Sequence, residues 1–130
     1  MAGTWRGTSD FQQNGTRYIS DLSATIRQND RSVDGTVLFT SPSWSGWTAT
    51  FTGQLSGSSP VSQFFGNFTV NAAPVSGGGT CVAQVTMTGD TRTNTLRWEA
   101  PSMNIVPSGS TANSTVCMGT VLTLVWILGR

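Results

Sequence analysis

Few residues in this 130-residue chain could do chemistry, and the missing types say the most. It contains no His and no Lys. Ser-His-Asp and Cys-His nucleophiles and lysine Schiff bases are therefore excluded by composition. Imidazole-bound zinc and His-ligated haem go with them, so no metal site and no cofactor is expected. Six carboxylates remain. Asp30 and Asp90 read as turn residues, Asp10 as a loop residue, and Asp21 and Asp34 as outward side chains of strands. Glu99 shares a face with Arg97 and reads as half of an exposed pair. No two carboxylates are marked by position as a glycosidase dyad. No catalytic residue is assigned, and the enzymatic alternative is confined to shape-driven, cyclase-type chemistry.

All seven basic residues are Arg, spread along the chain against six acidic ones for a net charge of +1. No basic stripe forms, so a nucleic-acid partner is not expected. No apolar run approaches the ~20 residues of a membrane helix. Cys81 and Cys117 are the only cysteines. In a Thr/Ser/Gly-rich chain without Lys they read as one disulfide of an exported protein, secreted or periplasmic, with two reduced core thiols as the alternative. Met1 reads as a start residue placed before a mature N-terminus. Asn14-Gly15-Thr16, Asn67-Phe68-Thr69 and Asn113-Ser114-Thr115 match the glycosylation acceptor and read as chance matches in so Thr-rich a sequence.

Apolar residues recur at period two almost throughout, and no stretch has a helical period. Strands are expected over 3–8, 17–28, 33–40, 47–55, 61–72, 80–88, 94–100 and 120–128. Asn29–Ser32, Gly57–Pro60 and Gly89–Arg92 read as turns, and 101–114 as the longest irregular stretch. Eight antiparallel strands on short connections form a meander, and closing it removes the exposed edges. The expected fold is all-β, a single eight-stranded up-and-down barrel over 1–130, with a two-sheet sandwich as the alternative. The outward phases of strands two, three, four and six are polar, unlike the lipid-facing band of a membrane barrel.

Gly3-Thr4-Trp5 resembles the Gly-x-Trp that opens the first strand of calycins, the lipocalin and avidin group of up-and-down barrels. Gln28 before a turn and Gly35-Thr36 after it resemble small Thr/Ser/Gly-rich barrels of exported bacterial proteins. The resemblance implies that Trp5 closes the barrel floor and that a basic side chain from the last strand crosses it, here Arg130. It implies no ligand, because the polar ligand set of avidins is missing.

Phe39, Trp47, Phe51, Phe64, Phe68, Met87 and Trp98 fall on the inward phase. Together they would line a site for a small hydrophobic or aromatic ligand, or simply fill the barrel. The alternative from a different class is an interaction or inhibitor-like module, using Trp44 and the 101–114 loop at the rim. Strand eight is apolar on both phases. Leu122, Leu124, Trp126 and Leu128 are expected on its outer face, where they would make a homo-oligomer interface.

Overall fold

Alternation at period two leaves every strand one apolar face to bury, and eight such strands can bury theirs against one another by closing. The computed structural model of the protein describes residues 1–42, 44–58, 60–108 and 115–130. Its strands are β1 (Gly3–Gln13), β2 (Thr16–Asn29), β3 (Ser32–Pro42), β4 (Thr48–Ser56), β5 (Ser62–Ala72), β6 (Thr80–Thr91), β7 (Thr95–Ser108) and β8 (Gly119–Gly129). They run in sequence order around a closed antiparallel barrel, β8 pairing back onto β1. The sandwich alternative is thereby set aside. At one end, the floor, lie the hairpins after β2, β4 and β6. The other end, the mouth, carries the connections after β1, β3, β5 and β7.

Four features differ from the sequence reading, three of them strand ends. β1 continues through Asp10 to Gln13, so Asp10 lies in a strand, and Phe11 joins the inward series of Trp5 and Ser9. Gly89, Asp90 and Thr91 belong to β6 and pair with Trp98, Arg97 and Leu96. Gly89 marks a close approach, since a Cβ there would come within 1.9 Å of the Arg97 carbonyl oxygen. The turn lies three residues further on, closed by the Arg92 amide donating to Thr95 O at 2.8 Å. β7 runs on to Ser108, through Pro101, where an irregular stretch was expected.

The fourth difference concerns the phase of β8. Val121, Leu124, Trp126 and Leu128 are all buried, whereas Leu122, Thr123 and Ile127 face outward. Thr123 takes a left-handed conformation (φ 56°), which a β-branched residue seldom adopts. Along β1 and β8, two steps from Asp10 to Gln12 face three from Val125 to Leu122. Along β6 and β7, six steps from Val82 to Thr88 face seven from Val106 to Glu99. Between β7 and β8 the register is unbroken, Ala100 opposite Leu124 and Ser102 opposite Leu122. Each of the two strands thus carries one extra residue at the same level, a bulge shared across the pair. The outward set of Leu122, Leu124, Trp126 and Leu128 is corrected accordingly: of the four only Leu122 is exposed.

The barrel interior is filled by side chains. Phe64 lies stacked on Trp98 with centroids 3.7 Å apart, and Phe51 on Phe68 at 4.7 Å. The Phe64 ring occupies space left open by two glycines on neighbouring strands. A Cβ at Gly53 would come within 2.5 Å of it, and one at Gly66 within 2.3 Å. Outward positions of β4 are Thr48, Thr50, Thr52 and Gln54, all exposed, as suits a wall facing water. No helix among the described residues is long and apolar enough to cross a membrane.

Cys81, at the start of β6, is bonded to Cys117, just before β8. The 36-residue separation makes the chain-entropy contribution about 4 kcal/mol. Titration of the denatured, unreduced protein should find no free thiol. Urea unfolding of a Cys81→Ser/Cys117→Ser variant should show a loss of that order, and a loss below about 1 kcal/mol would contradict it. Gly66→Ala should cost about 1–3 kcal/mol by overpacking Phe64, and much less when combined with Phe64→Leu. Denaturant midpoints of the two variants check this.

Candidate functional site

Any binding or chemistry inside a barrel depends on which polar atoms face inward. Among the described residues no charged side chain is buried; the buried polar residues are Ser9, Ser20, Thr91 and Thr115. The carboxylates lie outside. Asp10 pairs with Arg17, Asp34 with Arg27 at 2.7 Å, and Glu99 with Arg97 at 2.7 Å. Asp90 accepts a bond from Gln63 at 2.8 Å. All three ion pairs are substantially exposed and contribute little to stability. Arg17 is raised above its ordinary value, first by its hydrogen bond to Asp10 and then by that carboxylate's charge. No cluster of metal-ligating side chains occurs among the described residues.

The seven aromatic and Met side chains expected to line a site are all buried inside the barrel. They do not form one group. Phe51, Phe64, Phe68 and Trp98 pack on one another in the lower part, with Met87 also fully buried. Phe39 and Trp47 belong to the mouth half, with two residues that sequence reasoning left out. Phe11, from the extended part of β1, and Trp44, from the β3–β4 connection, are both 0% exposed. Tyr18, Phe11, Trp44 and Trp47 stack in a column, with successive centroids 5.2, 4.3 and 4.5 Å apart. Phe39 meets Trp44 edge-on at 5.0 Å and Trp126 at 5.6 Å. Trp126 also touches Phe68 at 5.1 Å and so joins the two halves.

Trp44 enters the mouth because its loop is folded back onto β3. The Trp47 amide donates to Trp44 O at 3.0 Å, closing the turn Trp44-Ser45-Gly46-Trp47, in which Gly46 supplies the positive φ (83°). Phe39 is bonded to the same turn on both sides: its amide donates to Trp47 O, and its carbonyl accepts from the Gly46 amide, each at 2.9 Å. The alternation of β1 past Ser9 could have shown Phe11 in the sequence. No sequence signal sets the direction of Trp44, which read as an exposed rim residue.

The five indoles differ in how their N–H groups are satisfied. Trp5 donates to Met1 O at 2.8 Å and Trp98 to Thr91 Oγ1 at 2.9 Å. Trp44 Nε1 and Trp126 Nε1 are buried without a partner, as is Ser9 Oγ. Ser9 and Trp126 are direct cross-strand neighbours in the β1–β8 pair. The mouth half, an aromatic chamber filled by its own side chains, therefore holds three unpartnered polar atoms, one of them on Trp44. The principal surface depressions, of about 220 to 450 Å3, lie on the outer wall and the floor.

Elsewhere at the mouth, bonds join the other connections to one another. Val116 exchanges backbone bonds with the 75–76 segment, Thr115 Oγ1 donates to Gly78 O, and Gln13 Nε2 donates to Met118 O. The 101–114 rim loop divides: 101–108 is strand, and 109–114, with Asn113 and Ser114 of the third glycosylation motif, lies outside the described residues.

At the floor, the Arg130 guanidinium lies 5.2 Å from the Trp5 ring and donates to Ala2 O at 3.0 Å. The Met1 amine donates to Gln28 Oε1 at 2.7 Å. Burial, and then the charge of Arg130, hold that amine below its ordinary value.

Comparison with models of protein families, with curated proteins and with solved structures returned no match. The closed eight-stranded architecture is the one that a calycin resemblance implies, and the reading of the site rests on its own geometry.

Trp5→Ala should cost about 3–5 kcal/mol in urea unfolding, as for other fully buried aromatics. Arg130→Ala should cost about 1 kcal/mol. Equal and small losses from both would show that the floor contact contributes little.

Proposed function

We propose that this is an exported, non-enzymatic binding protein that takes a small, flat, largely apolar molecule into the mouth half of its barrel, in place of the Trp44 indole. The observation that carries the reading is Trp44 itself. It is stacked between Phe11 and Trp47, fully buried, yet its N–H has no partner. A buried donor left unbonded costs about 1–3 kcal/mol, which is recovered when the group reaches water. Swinging out therefore offsets part of the stacking that Trp44 loses, and a flat ligand regains the rest between the same two rings. Trp44 sits on a four-residue turn, so its displacement leaves the strands in place. Export is supported by the disulfide, which persists in oxidising compartments.

Naphthalene is a suitable probe. Isothermal calorimetry on the wild-type protein should give saturable binding at one site. The Trp44 indole N–H resonance, assigned with a Trp44→Phe variant, should at the same time gain solvent exchange. Saturable binding with the Trp44 resonance unmoved would place the ligand elsewhere, and no saturable binding would overturn the reading.

A further inference from the structure

The unpartnered atoms of the chamber differ in hydrogen-bonding type, and their types select among flat ligands. An indole N–H is a donor only; a serine hydroxyl can donate or accept. Once Trp44 has swung out, the polar atoms left in the wall are Trp126 Nε1 and Ser9 Oγ, side by side on β8 and β1. With Trp44 in place, Trp126 is 1% exposed and Ser9 0%, so water outside the barrel reaches neither. Around them stand Phe39, Phe11 and Phe68, which offer no acceptor, and the Ser20 hydroxyl opposite Ser9 is engaged with Asp21 O. We propose that the ligand of this chamber is a neutral planar aromatic carbonyl compound of the quinone or aryl-ketone class, its carbonyl oxygen accepting from Trp126 Nε1 with Ser9 Oγ as second donor. The proposal rests on the binding reading above and narrows its ligand.

The alternatives fare worse on the same wall. A plain hydrocarbon fills the space but leaves both donors unbonded. An anion would satisfy the donors, but among the described residues no cation is buried to pair its charge, and an unpaired buried charge is strongly disfavoured. A cation or a donor-rich molecule would face an N–H that cannot accept. A neutral carbonyl oxygen brings acceptor lone pairs and no charge. The chain also tolerates such a ligand chemically. Both cysteines are in the disulfide and Lys is lacking, so neither a free thiol nor a lysine amine is there to add to a quinone.

The test compares 1,4-naphthoquinone with naphthalene, two probes of nearly the same outline. By area alone naphthalene, the more apolar, should bind more tightly. A carbonyl bonded to Trp126 should reverse that order by about tenfold in Kd, measured by calorimetry on the wild-type protein. The Trp126 indole proton resonance should move downfield with the quinone and stay in place with naphthalene. Trp126→Phe should erase the preference, bringing the quinone-to-naphthalene ratio of Kd values to that expected from area alone. Should that variant fail to fold, Ser9→Ala should reduce the preference, and the wild-type resonance still reports the bond. Naphthalene binding as tightly as the quinone would overturn the carbonyl assignment and leave the binding reading standing. Binding of neither probe would overturn both.

Discussion

The pairing of β8 with β1 is the constraint on which the rest of the molecule depends. An open eight-stranded meander would present two edges and leave each residue free to choose a face. Closure removes both edges and sends one phase of every strand into an enclosed space, which for eight strands side chains can just fill. This chain fills it with aromatic rings, large and rigid, which pack at defined angles and cost little rotamer freedom. The same closure shuts out water, so each polar atom carried inward on an aromatic ring must find its partner among the few polar groups there.

The two ends of the barrel meet that demand differently. At the floor, Trp5 and Trp98 each have an acceptor, Met1 O and Thr91 Oγ1, and Arg130 lies across the Trp5 ring. At the mouth, Trp44 and Trp126 have none. The indoles of one end are held by satisfied bonds and these two of the other by ring contacts alone. Binding sites are commonly found where a fold leaves such a demand unmet, since satisfying every group would fix the end permanently. The disulfide and the Val116 bridge hold the side of the mouth away from the β3–β4 turn.

Most of the architecture was legible because period-two patterning survives in isolation from its context. Tyr18 to Ile26, Val33 to Phe39 and Trp47 to Phe51 each announce a strand and its inward face. The Cys81–Cys117 bond was legible because only one pairing exists. Legibility failed where backbone geometry departs from the regular pleat. Ser9 and Asp10 look like loop residues, although Asn14-Gly15, a two-residue turn with both φ angles positive, marks the true end of β1. Pro101 reads as a terminator, yet it sits outward in a bulge. Thr123 gives no hint of its left-handed conformation, and one residue in that state reverses the phase of everything before it in β8. Trp44 was unreadable for another reason: its direction is set by how its turn docks on Phe39, a contact between positions whose spacing carries no pattern.

The bulge shared by β7 and β8 has a consequence for how such a chain can change over generations. Because the extra residue in one strand lies opposite the extra residue in the other, neither can be lost alone. A deletion near Pro101 would turn the remainder of β7 inside out relative to β8, exposing Met103 and Ile105 and burying Asn104. A second deletion near Thr123 would restore the match between the two strands and return both to a regular pleat. Length variation at this seam should therefore be inherited in pairs, so that two distant positions in the chain behave as a single unit of descent.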